Sequence, residues 1–335
     1  MRTEDTRHIS IRAPGRLHLG FIDLHGGLGR KFGSLGLALA EVATTLTATR
    51  SERAHCEGPS SERALEYAET VLRRLSLPGS VSIQIEEAVP EHAGLGSGTQ
   101  LALAVSAVVS RLFGLSLDTA RLAALTERGM RSGIGIGAFA YGGFLVDGGR
   151  GSNSLVPPVI SRCPFPTNWR VLLIFDHAQH GLHGQRERDA FEQLPQMQEA
   201  AAGDLSRRVL IQMLPALAEQ DFSSFVEAVT YVQNAVGDLF SAVQGGRYTS
   251  QRVAAVLDWL QRQGVRGFGQ SSWGPTGFAF FESERAAQQV ASELRQCWGS
   301  EEALRFMLVR AANEGAQIKE HVQWRAEALS ATRSK

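Results

Sequence analysis

Residues 90–114, PEHAGLGSGTQLALAVSAVVSRLFG, decide the reading of this 335-residue chain. A glycine-rich turn, Gly94 to Thr99, runs straight into an apolar helix expected from about Gly98 to Phe113. The glycines let the backbone turn with successive N–H groups pointing one way. The first helical turn adds unpaired N–H groups and the positive end of its dipole. Together these hold an anion such as phosphate or pyrophosphate. Gly94, Gly96 and Gly98 supply backbone donors, and Ser97 and Thr99 supply hydroxyls for the anion or a metal. No Gly-Lys-Ser/Thr follows, so this is not a Walker loop, nor is it a dinucleotide fingerprint. A plain strand-to-helix turn carries similar glycines, so support must come from the rest of the chain.

Upstream, residues 7–13 (RHISIRA) and 16–24 (RLHLGFIDL) alternate as strands, with Pro14-Gly15 the expected turn between them. A glycine-rich loop, HGGLGRKFGS, leads into the strand LGLALAEVATTLTATR. Residues 61–76 have helical periodicity, and SVSIQIEEAVP alternates as a strand that stops at Pro90. Downstream, a helix is expected from Asp118, its N-cap, to Met130. IGIGAFAYGGFLVDGG is glycine-dense and then strand-like, and RVLLIF (170–175) is a buried strand. Residues 187–263 read as mostly helix and GVRGFGQSSWGPTGFAFF as strand–loop–strand. A helix (284–297), a strand (304–310) and a terminal helix (317–330) follow. The class is α+β, with residues 1–155 and 156–335 as two domains and the boundary in the aperiodic RGSNSLVPPVISRCPFPTN.

Composition narrows the function. Lys+Arg and Asp+Glu are both 34, so a general nucleic-acid or membrane-surface binder is not expected. An anionic substrate would need local positive groups. Nearly all the basic residues of the chain are arginine, which suits bidentate phosphate contacts. The cysteines Cys56, Cys163 and Cys297 form no metal-type cluster and read as free, mostly buried thiols of a cytoplasmic protein. The start, MRTEDTRHIS, lacks an apolar core, and no apolar run reaches membrane-spanning length.

APGRLHLGFIDLHGG, HAGLGSGTQ and GFGQSSWGPTGFAF, in that order, resemble the three motifs of the GHMP superfamily of galactokinase, homoserine kinase, mevalonate kinase and phosphomevalonate kinase. The resemblance implies a ribosomal S5 domain 2-like N-terminal domain, a ferredoxin-like C-terminal domain and a site between them. One departure matters. Superfamily kinases that use a catalytic base place an aspartate in a segment of the form SGxDxxxxxxGG. Here that segment is SGIGIGAFAYGG, Ser132 to Gly143, with no acid. The usual GEH after the first strand is replaced by GFID.

RLHLGFIDLHGGLGRKFGSLGLAL, GIGIGAFAYGGFLVDGG, GLHGQRERDAF and GQSSWGPT are similar to the β-ribofuranosylaminobenzene 5′-phosphate synthase family of tetrahydromethanopterin biosynthesis. The resemblance implies a decarboxylating C-ribosyltransferase. It joins phosphoribosyl pyrophosphate to an aromatic carboxylic acid, 4-aminobenzoate or 4-hydroxybenzoate, and releases pyrophosphate and CO2. It also implies Mg²⁺, no nucleotide cofactor and a homodimer. A C-nucleoside synthase acting on a heteroaromatic acid, a small-molecule kinase and a non-catalytic anion-binding protein are the alternatives.

Site residues follow from the same motifs. Arg16 takes the basic position of the first motif and is expected on pyrophosphate or the 5-phosphate. His18 shares its face and either handles the ring substituent or is structural. Asp23 lies on the opposite face unless a bulge intervenes; it either binds Mg²⁺ or ribose, or caps the next loop. Arg30, with Lys31, either closes over phosphate or is a solvated loop charge. Glu187, at a helix start, is expected on Mg²⁺ or substrate. Gln270, Ser271 and Ser272 are expected to meet substrate. Trp273 either stacks on the aromatic acid or is core, and Phe139, Tyr141 and Phe144 read as core. His177, His180 and His183 have a spacing that invites zinc, but their glycine-containing loop and the lack of HExxH argue against it.

Overall fold

The computed structural model describes residues 6–181 and 184–323. The first half runs β1 (Thr6–Asp23), β2 (Arg30–Ser51), β3 (His55–Glu57), α1 (Ser61–Arg74), β4 (Ser80–Glu87), α2 (Ser97–Leu112), α3 (Thr119–Leu125), α4 (Ile134–Tyr141), β5 (Phe144–Asp147), β6 (Arg150–Gly151) and β7 (Val159–Cys163). Next come β8 (Arg170–Asp176), α5 (Gly184–Gln193), α6 (Glu199–Arg208), a π-helical turn (Val209–Met213), α7 (Leu214–Glu219), α8 (Phe222–Gln244) and α9 (Gln251–Arg262). The chain ends with β9 (Phe268–Gln270), β10 (Gly277–Phe281), α10 (Glu284–Trp298), β11 (Leu304–Val309) and β12 (Gln317–Gln323).

The first sheet has the path β12-β1-β2-β4-β3, and β2 also pairs with β5, which pairs with β7. Helices α1 and α2 cover one face. Ala64, Ala68 and Val71 of α1 meet Ile9, Ile11, Val81 and Ile83 in one core. Twelve of the sixteen residues of α2 are buried, which explains why it is apolar nearly all round. The second sheet has the order β11-β8-β10-β9. With α8 and α9 between β8 and β9, and α10 between β10 and β11, this is the ferredoxin-like arrangement. Strand β8 is buried on both faces. Leu172 and Ile174 pack on α9 and α10, while Val171, Leu173 and Phe175 face a core shared with Leu17, Leu19 and Phe21 of β1 and Phe225 and Val229 of α8. That shared core joins the two sheets and fixes the loops between them.

Several expectations need correction. Pro14-Gly15 is no turn; it breaks the register inside β1, and both halves pair with β2. A Cβ on Gly15 would lie 2.9 Å from the Val42 carbonyl oxygen, so the strand bends where only glycine fits. The glycine-dense IGIGAFAY is a helix, α4. Its glycines serve close packing, since a Cβ on Gly135 would lie 3.0 Å from Thr99 Cγ2. The helix expected to run to Met130 ends at Leu125, although Asp118 does cap it by accepting from Arg121 N at 2.8 Å. Residues 317–323 form β12, not a helix, because pairing with the open edge of β1 outweighs local periodicity; residues 324–330 lie outside the described residues. Strands β7 and β12 come from beyond residue 155 yet complete the first sheet. Cys56 and Cys163 are only half-buried and Cys297 is exposed.

Candidate active site

Three glycine loops cross at the junction of the two sheets. The loop before α2 lies against β1, where Arg16 N donates to Leu95 O at 3.0 Å and Arg16 Nη1 to Gly94 O at 2.6 Å. The loop between β9 and β10 closes from the other side. Ser271 Oγ donates to Gly94 O at 2.8 Å and accepts from His18 N at 3.0 Å. Side chains are excluded at the crossing. A Cβ on Gly94 would lie 2.2 Å from Ser271 O, one on Gly274 2.4 Å from Ala93 C, and one on Gly181 2.7 Å from Gly274 Cα. Gly94 and Gly96 also hold φ of 79° and 86°, in the left-handed region that glycine occupies without strain.

A cavity of about 370 Å³ opens over this crossing, lined by the Gly94–Thr99 loop, Arg16, Arg63, Arg128, His92, Glu187 and the Ser272–Gly274 loop. Three guanidinium groups face one carboxylate among these lining residues. A Cβ on Gly98 would lie 2.8 Å from Arg63 Nη2 and 3.4 Å from Arg128 Nη1, so both heads stand over the first turn of α2. Arg63 Nη1 holds Glu91 at 2.7 Å. Arg128 donates to the Tyr67 hydroxyl and lies 5.3 Å over its ring. Arg16 Nε is enclosed and has no hydrogen-bond partner among the described residues. Burial lowers the pKa of Arg16 to about 10, while Glu187 pulls it back up. Glu187 is paired with Arg131 at 3.0 Å, and Arg131 lies 4.4 Å over Phe191. His92 and Ser272 both hold positive φ, 57° and 56°, local strain of the kind found at binding sites.

The sequence-derived residues divide into three groups. Arg16, the Gly94–Thr99 loop, Glu187, Ser272 and Trp273 come together around the cavity. His18, Ser271 and Gln270 lie just behind it. His18 is 3% exposed, and neither ring nitrogen has a partner among the described residues. Burial and then Arg16 push its pKa down to about 3, so the ring is neutral. It lines a second, small cavity of about 20 Å³ with Phe21, Phe240, Tyr248 and Ser272. Ser271 and Gln270 brace the loop, Gln270 Nε2 donating to Ser272 O at 2.9 Å and Oε1 accepting from Thr249 N at 2.6 Å.

Asp23 and Arg30 do not line the cavity. A bulge after His18 places Phe21 beside the His18 ring, centroids 4.7 Å apart. Asp23 Oδ1 caps the next loop by accepting from Gly26 N at 2.8 Å. Arg30 ties its hairpin to Gly148 O and Gly149 O, each at 2.7 Å. Trp273 stacks on Phe240 at 4.1 Å and meets Phe191 edge to face at 5.3 Å, so aromatic partners already pack on it. Phe139 and Phe144 are buried, whereas Tyr141 is exposed. His177 stacks on Phe175, and the His180 and His92 rings are 6.2 Å apart; His183 lies outside the described residues. Among the described residues, no group of three or more His, Cys, Asp or Glu is placed to hold a metal.

Sequence reasoning missed Arg63, Arg128 and Arg131. Arg63 sits in an ordinary amphipathic helix and Arg128 in the turn after α3, far along the chain from Gly98. Only the arginine-rich composition hinted at them. The acid-free segment also becomes clear. Gly135, which stands where the kinase segment carries aspartate, packs on Thr99 of the anion loop. The nearby acid, Asp147, is buried and accepts from Ser34 Oγ (2.6 Å), Gly133 N (2.8 Å) and Gly149 N (2.9 Å). It anchors the start of α4 and does not line the cavity.

The two sheets and the glycine loop between them define a GHMP-superfamily protein. Residues 62–143 match the GHMP kinases N terminal domain and residues 213–300 the GHMP kinases C terminal domain. Homoserine kinase from Cytophaga hutchinsonii shares this fold, with a TM-score of 0.64 and 16% identity over 93% of this chain and 97% of that one. Within the superfamily, the chain belongs to the β-ribofuranosylphenol 5′-phosphate synthase family. The Archaeoglobus fulgidus synthase is 31% identical over 93% of this chain and 99% of its own length. The Methanocaldococcus jannaschii synthase is 32% identical over 84% of this chain and 92% of its own.

Proposed function

We propose that this protein is a decarboxylating C-ribosyltransferase that joins phosphoribosyl pyrophosphate to 4-hydroxybenzoate or 4-aminobenzoate in tetrahydromethanopterin synthesis. The observation that carries this reading is the cavity itself, a strongly cationic anion cradle without a carboxylate at the kinase base position. The Gly94–Thr99 loop and Arg16 receive the pyrophosphate, in reach of donors fixed before the substrate arrives.

The electron balance needs no general base. The C1–oxygen bond of the ribose breaks and its electron pair leaves with pyrophosphate. The ring carbon that bears the carboxylate supplies a π pair to C1. The carbon–carboxylate bond then breaks, its electrons restore the aromatic ring, and CO2 departs. No proton is transferred overall. Gly135 is compatible with this chemistry, as is the neutral His18. The site's tasks are to bind, to orient and to keep water from the cationic C1.

Mg²⁺ fits as a companion of the substrate. Such ions are held by one or two carboxylates together with phosphate oxygens, and Glu187 is the one carboxylate lining the cavity among the described residues. Glu187, with Ser97 and Thr99, would hold the ion, which neutralises charge on the departing pyrophosphate. Asp23 is turned to its own loop. A homodimer in the cytoplasm, acting without nucleic acid or membrane, is part of the same proposal; no helix among the described residues is long and apolar enough to cross a membrane.

The test is substrate choice. With phosphoribosyl pyrophosphate and Mg²⁺, carboxyl-labelled 4-hydroxybenzoate or 4-aminobenzoate should lose labelled CO2. Release from heteroaromatic acids alone would instead make the protein a C-nucleoside synthase.

A further inference from the structure

We propose that Arg63 and Arg128 form a two-armed clamp on the far phosphate of the leaving pyrophosphate. The proposal rests on the transferase reading and adds to it the residues that select a diphosphate leaving group. Arg16 and the Arg63–Arg128 pair stand at opposite ends of the anion loop. The Arg16 side chain lies against Gly96, where a Cβ would be 3.3 Å from Arg16 Cζ. The other two heads converge on Gly98, one residue into α2. Two cationic centres along one row of backbone donors match two linked phosphates better than one.

The partners of the pair leave it able to bind. Arg128 donates to the Tyr67 hydroxyl, which Arg63 also meets, and makes no ion pair among the described residues. Arg63 gives Nη1 to Glu91, which also accepts from Ser60 Oγ at 2.7 Å, while Nη2 is the atom nearest Gly98. Glu91 does not line the cavity. The hydrogen bond and cation–π contact with Tyr67 hold Arg128 before a ligand arrives, so less side-chain freedom is lost on binding. Gly98 belongs to the clamp as well, since a side chain there would meet Arg63 Nη2 at 2.8 Å.

Calorimetric titration with inorganic pyrophosphate, and separately with ribose 5-phosphate, tests the clamp on the full chain. Arg63→Gln and Arg128→Gln should each weaken pyrophosphate binding about tenfold to a hundredfold, the range for charge-assisted hydrogen bonds. Ribose 5-phosphate affinity should stay within about twofold on the same argument. Arg128→Lys should recover part of the loss, because it keeps the charge and loses the fork. Should Arg128→Gln fail to fold, Arg63→Gln and Arg128→Lys carry the comparison. Unchanged pyrophosphate affinity would overturn the clamp, and so would an equal loss for ribose 5-phosphate. The two proposals fail separately. A wild-type chain that binds pyrophosphate through these arginines but releases no CO2 defeats only the transferase reading. Normal turnover with normal pyrophosphate binding in the variants defeats only the clamp.

Discussion

His18 is a buried, neutral imidazole with both ring nitrogens unpaired among the described residues. An unsatisfied buried donor costs about 1–3 kcal/mol. His18→Leu is therefore expected to raise thermal stability at pH 7 while lowering turnover; a fall in melting temperature would show that the ring is a satisfied structural group. The pH dependence follows from the same burial. The folded pKa is about 3 against 6.5 in the unfolded chain. Between those values the unfolded state binds the extra proton, so stability falls as pH drops from 6.5 towards 3. Urea unfolding of wild type and His18→Leu across that window should show the smaller acid loss in the variant. Arg16 makes a second residue-scale case. Its substitution by alanine should weaken phosphoribosyl pyrophosphate binding about tenfold to a hundredfold, read by titration; unchanged affinity would remove it from the site. Because its pKa is lowered to about 10, anion affinity should decline as pH rises through that value.

At the scale of elements, the glycine loops do the positioning. Gly94→Ala forces a Cβ to 2.2 Å from a backbone oxygen at a left-handed φ. It should destabilise the protein by about 2 kcal/mol or more in denaturant unfolding. Gly135→Asp restores the acid of the kinase segment beside Thr99. It should weaken pyrophosphate binding by charge repulsion and confer no ADP formation, checked by titration and a coupled kinase assay. Much of this was legible in the sequence. The loop into α2, the strand-loop-strand around Trp273 and the strong alternation of β4 each carry a local signal. For Asp23 and Arg30 the sequence left a ligand role and a loop role open, and their side chains turn out to brace loops. Arg63 and Arg128 were not legible, because their role depends on α1 and the turn after α3 meeting over Gly98. Helix α4 was obscured by glycines whose reason, close packing on Thr99 and Val159, exists only in three dimensions.

At the scale of the whole molecule, the chain returns to its beginning. Strand β12 pairs with β1 from Arg12↔Gln317 to Thr6↔Gln323, closing the edge of the first sheet. A helix was expected there because local pattern carries no information about an open edge over 300 residues away. Both sheets then press on one core, and the site lies where their loops cross. This architecture serves phosphoryl transfer in kinases of the superfamily. On the proposed reading, the cationic cradle and the glycine at position 135 turn it to the loss of pyrophosphate from a sugar. The direct measurement is stoichiometry in a single reaction with phosphoribosyl pyrophosphate, Mg²⁺, ATP and carboxyl-labelled 4-hydroxybenzoate or 4-aminobenzoate. Pyrophosphate and labelled CO2 should appear in equal amounts with ATP unchanged. ADP formation with a sugar or alcohol, and no CO2 from any aromatic acid, would contradict the account.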